Sequence, residues 1–140
     1  MPKDEKEWHK QITREILEQA WNQANFDGLD ELISPEARFH IHKQTLPMSA
    51  ADTRRVISAW HRAFPDFRFT LKALVAEDDL VAARLLLSGT HQGTWQGIAA
   101  TDNHIRVTVM MFLRYEQGKL VEIWEDFDEL GMRRQLGVDL

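Results

Sequence analysis

The chain has no cysteine, one tyrosine, and only seven glycines and four prolines among its 140 residues. Lack of cysteine excludes a disulfide scaffold, a thiolate zinc site and a cysteine nucleophile. Ser34, Ser49, Ser58 and Ser88 lie in no nucleophile-elbow sequence, which argues against a serine triad. Gly93 and Gly97 make no phosphate loop, because no Lys-Ser or Lys-Thr follows them. Long apolar runs are missing as well. The most apolar one, Leu80 to Leu87, is broken by Arg84, so no segment is expected to span a bilayer. The charged start, Met1 to Glu7, has no apolar stretch behind it that could act as a signal peptide, and the reading is a cytoplasmic protein. Positive charge is in deficit: 17 Lys and Arg against 22 Asp and Glu give a net charge of −5. That balance argues against nucleic acid and anionic membranes as partners.

What is present is ordinary for a globule, 44% hydrophobic and 28% charged, apart from five tryptophans. The length suits a single domain, residues 1–140, with a real core and one modest cavity. Asp4 with Glu7 resembles a capping box, and Trp8, Ile12, Ile16, Ala20 and Ala24 follow at fourfold spacing, which predicts a first helix ending at Asn25 to Gly28. Leu29 to Ile33 adds one more turn before Ser34-Pro35. Ala37, Phe39 and Ile41 alternate with Arg38, His40 and His42 as a short strand. Ser49 with Asp52 opens another helix, striped by Val56, Ile57, Trp60 and Ala63 and closed by Pro65. From Phe67 to Asp128 the pattern predicts a four-strand antiparallel meander, followed by a short helix through Leu136. Strands grouped after helices indicate an α+β fold, a curved sheet wrapped around the helices with a pocket between them.

The last hairpin is the most informative segment. Gln117 fits a two-residue turn poorly, so a three-residue loop with Gly118 in the left-handed position is expected. That register puts Met110, Phe112 and Arg114 on one face with Glu122, Trp124, Asp126 and Asp128. The other face carries Val109, Met111, Leu113, Val121, Ile123 and Phe127, which would be costly to leave in water and suggests a homodimer. The mixed face admits two readings. One is a solvated surface with an Arg114–Glu122 cross-strand salt bridge. The other is a pocket lining, where a carboxyl beside Trp124 has its pKa raised by burial and shuttles a proton.

Gly89-Thr90-His91-Gln92-Gly93, Trp95-Gln96-Gly97-Ile98, Thr101, Phe112, Arg114, Gly118-Lys119, Glu122 with Trp124, and Asp128-Glu129-Leu130-Gly131 with Gln135-Leu136-Gly137 form an ordered set. In this set the chain resembles the SnoaL-like polyketide cyclase family, from the first helix to Gly137. The resemblance implies a cone-shaped α+β fold of the nuclear transport factor 2-like superfamily, with three helices against a curved antiparallel sheet. It implies an intramolecular aldol condensation on a polyketide-type carbonyl compound, with no metal and no organic cofactor. Asp128 matches the family's catalytic acid and base, His91 is the first choice for a supporting histidine and His104 the second. Trp124, Phe112, Met110 and Trp60, with Arg114 and Glu122, would line the substrate cavity. This chain departs from the family in having Glu125 and Asp126 after the Trp, and two close carboxylates make Asp126 an alternative working group.

Two other classes stand beside the cyclase: a non-catalytic protein that binds an apolar small molecule or serves assembly, and a ketosteroid-isomerase-like enzyme. The latter resembles a site with a Tyr donor, and the only tyrosine, Tyr115, is expected at the rim near the hairpin turn. His40 and His42, sharing a strand face, would need His91 or Asp126 to make a metal site, and hydrogen-bonded histidines are the simpler reading. Arg84 calls for a partner, either a buried carboxylate such as Glu122 or a substrate oxygen. Trp8, Trp21 and Trp60 read as core, while Trp95 could lid the pocket or fill a dimer contact.

Overall fold

The computed structural model describes residues 4–138, so Met1 to Lys3 of the charged start and the last two residues lie outside it. Helix α1 (Glu5–Glu15) begins where the Asp4 carboxylate accepts a hydrogen bond from the Lys6 N–H at 2.9 Å. Glu7 pairs with Lys10 at 2.6 Å, which leaves Asp4 to cap alone. The helix continues as a π-helical segment (Ile16–Asn22), and the fourfold stripe of Ile12, Ile16 and Ala20 is buried. After α2 (Leu29–Leu32) comes α3 (Ala50–Ala63), opened by a complete capping box between Ser49 and Asp52. A last helix, α4 (Glu129–Gln135), follows the final strand. No helix among the described residues is long and apolar enough to cross a membrane.

The strands are β1 (Ile33–Ile41), β2 (Gln44–Pro47), β3 (Arg68–Glu77), β4 (Leu80–Thr90), β5 (His104–Glu116) and β6 (Lys119–Phe127). They form one sheet in the order β2-β1-β6-β5-β4-β3. The expected meander is β3 to β6, antiparallel throughout. Two features correct the expected antiparallel sheet. β1 pairs with β6 in parallel, and β2 forms an edge strand not foreseen. All of Gln44–Pro47 is exposed, so this proline-bearing edge carries no apolar alternation to read.

Alternation along β5 decides which face meets the helices. Val107, Val109, Met111 and Leu113 are buried, while Met110 and Phe112 are about half exposed, at 52% and 53%. Each buried aliphatic side chain contributes roughly 1.5–3 kcal/mol. The face suspected of needing a dimer partner is therefore the core of the protomer itself, and the mixed face looks outward.

The β5–β6 turn is a two-residue turn, with Gln117 at φ 50° and Gly118 at φ 77°, rather than the expected three-residue loop. A bulge restores the register, so Arg114 still faces Glu122, Phe112 faces Trp124 and Met110 faces Asp126. The glycine-rich segment after β4 locks the end of α3. Gln92 and Gly93 N–H groups donate to the Ala63 carbonyl at 2.9 and 3.0 Å, and a Cβ on Gly93 would collide with the Arg62 carbonyl. Thr90 donates from its N–H and Oγ1 to Asp66 at 2.6 and 2.8 Å.

Candidate functional site

Between the helices and the inner face of the sheet lies a cavity of about 270 Å³. Trp21, Val56, Trp60, Met111, Ile123 and Phe127 supply much of its apolar wall. Its polar lining consists of His42, Gln44, Thr53, Gln96, Glu125 and Glu129. Gln44, Leu46 and Gln96 are exposed as well as lining, so they mark the mouth. There His42 Nε2 lies 3.3 Å from a Glu129 carboxylate oxygen, and Glu129 also meets Arg133 at 3.7 Å.

Of the two carboxyls that line the cavity, Glu129 is paired with His42 and Arg133, and Glu125 has no ion-pair partner among the described residues. It lies in β6 between Ile123 and Phe127, on the inner face. It is half-buried, with protein around most of it. Burial first, and then the charge of adjacent Asp126, push its pKa up to about 7. Near neutrality such a group is a mixture of acid and carboxylate, able to give or take a proton.

The sequence reading favours Asp128 and Asp126 and gives Glu125 no role of its own. The available signal was strict alternation, which puts one carboxylate in the apolar row Ile123, Glu125, Phe127.

The expected site residues are dispersed. Asp128 is exposed and caps α4, accepting from the Gly131 N–H at 2.8 Å. Gly131 permits this closure, because a Cβ there would strike the Asp128 carboxylate. Asp126 is exposed on the outer face, in a shallow groove with Arg84, Met110, Phe112 and Trp124. Trp60 alone of the expected substrate-lining residues belongs to the cavity wall. The others left it because adjacent strand residues point to opposite faces, and the aromatic-plus-charge row is the outer one.

Arg114 and Glu122 form the cross-strand pair, 3.1 Å apart on that outer face. Glu122 also meets His40 at 2.6 Å and Arg38 at 3.6 Å. Burial opposes its charge, but the His40 and Arg114 hydrogen bonds and the Arg38 charge prevail and hold its pKa below the usual range. Arg84 makes no ion pair with the described residues, so Glu122 is not its partner.

His91 is fully buried and does not line the cavity. Its Nδ1 accepts from the Thr101 N–H at 3.2 Å, which assigns the ring proton to Nε2, and its ring stacks on Phe64 at 5.3 Å. The Asp102 N–H donates to its carbonyl, so His91 fastens the 92–103 loop. His104 is exposed beside Thr90 Oγ1 at 3.1 Å.

His40 and His42 do not share a face, because His42 sits in the β1–β2 turn with φ 48°. No cluster of three His, Asp or Glu suited to a metal occurs among the described residues.

Tyr115 is buried rather than at the rim, its hydroxyl 2.7 Å from Thr13 Oγ1, and burial raises its pKa. Trp95 is buried within the same chain, its ring tilted against Trp60 at 5.8 Å with Arg133 over it at 5.5 Å. It buttresses the cavity wall from behind.

Comparison with known proteins places this architecture. A search of curated proteins gives no match. Among solved structures, TsrD from Streptomyces laurentii superposes with a TM-score of 0.84 at 28% identity, covering 95% of this chain and 97% of that one. IdmH from Streptomyces antibioticus, a proposed polyketide cyclase, gives 0.79 at 29% identity, covering 93% and 99%. AclR from Streptomyces galilaeus, a proposed hydroxylase, gives 0.81 at 28% identity, covering 94% and 86%. The family profile of SnoaL-like polyketide cyclases matches residues 11–136, nearly all of the described chain. Sequence and fold agree that the chain belongs to the SnoaL-like polyketide cyclase family.

Proposed function

We propose that the cavity carries out acid–base catalysis on a carbonyl compound of polyketide type, with Glu125 as the proton-transfer group. The observation that supports this reading is the Glu125 carboxyl, with a pKa of about 7, set between Ile123 and Phe127 in the mainly apolar inner wall, while the cavity's other carboxyl, Glu129, is held at the mouth by His42 and Arg133. As carboxylate, Glu125 takes a proton from the carbon α to a carbonyl. The resulting enolate carbon attacks a second carbonyl of the same molecule and forms the new C–C bond. Protonated Glu125 then returns its proton to the alkoxide, so atoms and charge balance within substrate and side chain. Family membership leaves the reaction open, since similar folds include a proposed cyclase and a proposed hydroxylase.

The test is exchange of the α-protons of 2-tetralone in D₂O. Wild type accelerates it and Glu125→Gln does not. Equal rates in the two proteins favour the alternative, a cavity that only binds.

A homodimer would form through the outer face. Val75, at 63% exposed, with Met110 and Phe112 forms an apolar stripe beside Trp124. Arg84 and Asp126 occupy one row across β4, β5 and β6, on either side of Met110. A twofold axis at this stripe sets Arg84 of one protomer opposite Asp126 of its partner, twice over, as a self-complementary interface requires.

A further inference from the structure

Thr53 occupies a position where a hydroxyl has no evident structural use. It lies in α3 on the stripe Thr53, Val56, Trp60, all three of which line the cavity. Only 3% of it is exposed, and its Oγ1 has no hydrogen-bond partner among the described residues. Such an unpaired buried group costs stability, whereas valine has the same shape and no such cost.

The chain itself supplies the comparison. Thr13, the other fully buried helical threonine, donates from Oγ1 to the carbonyl four residues back, that of His9, at 2.8 Å, and meets Tyr115 as well. Thr53 has the Ser49 carbonyl at the equivalent place, and its backbone N–H reaches it at 2.8 Å, yet its hydroxyl does not. Methyl and hydroxyl share one Cβ, so a single staggered step about χ1 exchanges which of them faces the cavity.

We infer that Thr53 is a specificity-determining residue of the cavity, whose hydroxyl hydrogen-bonds an oxygen of the bound molecule. This rests on the reading of the cavity as the substrate site. It implies a ligand that is mostly apolar, like the walls at Val56 and Trp60, and that carries one oxygen function for Thr53 besides the carbonyl handled at Glu125. A hydrocarbon of equal shape leaves the hydroxyl unpaired and is discriminated against.

The experiment compares 1-tetralone with tetralin, its oxygen-free counterpart, by quenching of tryptophan fluorescence, since Trp21 and Trp60 line the cavity. Wild type is expected to prefer the ketone. Thr53→Val should weaken ketone binding by about fivefold to tenfold and leave tetralin within about twofold, and Thr53→Ser should restore the preference. The inference is overturned if wild type shows no preference, if Thr53→Val binds both probes as wild type does, or if it loses both equally. Glu125→Gln separates the two readings. Loss of proton exchange in that variant concerns Glu125, whereas the Thr53→Val ratio of ketone to hydrocarbon binding, measured without turnover, concerns Thr53 alone.

Discussion

The Arg114 guanidinium lies 3.1 Å from the Glu122 carboxylate, on the opposite face of the sheet from Glu125, three residues further along β6. One strand thus carries a paired outer glutamate and an unpaired inner one. Glu122→Ala removes the shared partner of Arg114, Arg38 and His40. It should cost about 1–3 kcal/mol in denaturant unfolding, while tetralone binding in the folded variant stays within about twofold of wild type.

The two glutamates act on pH stability with opposite sign. Glu125 has a folded pKa of about 7, above its ordinary 4.5, so its favourable contribution is complete below pH 4.5 and is lost as pH rises through 7. The loss is at most about 3 kcal/mol, reduced by the solvent that reaches the carboxyl. Glu122 is held below the usual range, so its contribution is present above pH 4.5 and is lost as pH falls through its folded pKa. Urea titrations across pH should show Glu125→Gln flattening the decline between pH 4.5 and 7. Glu122→Gln should shallow the acid limb instead.

Asp128 serves α4 through its bond to the Gly131 N–H. Asp128→Ala should lower stability by about 1 kcal/mol, the usual cost of a lost N-cap, and leave α-proton exchange per folded molecule within about twofold. A loss of exchange by orders of magnitude would return the catalytic role to Asp128.

Much of this was legible in the pattern of residues. The Ser49–Asp52 capping box, the meander and the facing of Arg114 with Glu122 follow from spacing and alternation alone. The inward face of the meander is not legible from Trp124 beside Asp126, a pairing that suits a pocket wall and a solvated surface alike. The row Val109, Met111, Leu113 could bury itself only against the helices. Alternation puts His42 on the face of His40, and the positive φ that turns it away, with no glycine there, leaves no trace in sequence. β2 lacked an apolar period, and Thr53 showed no sign of its missing partner until its surroundings were known.

On the outer face, Phe112→Asp puts a charge into the stripe of Val75 and Met110 while leaving the cavity side of β5 untouched. Sedimentation should give a dimer for wild type and a monomer for the variant. A wild-type monomer at micromolar concentration would exclude this interface.

In the proposed reaction Glu125 transfers the proton because its surroundings hold its pKa near neutrality. Carbon-13 NMR titration of the side-chain carboxyl, assigned by its disappearance in Glu125→Gln, measures this directly. The expected midpoint is about 7. A midpoint near the ordinary value of 4.5 would contradict it.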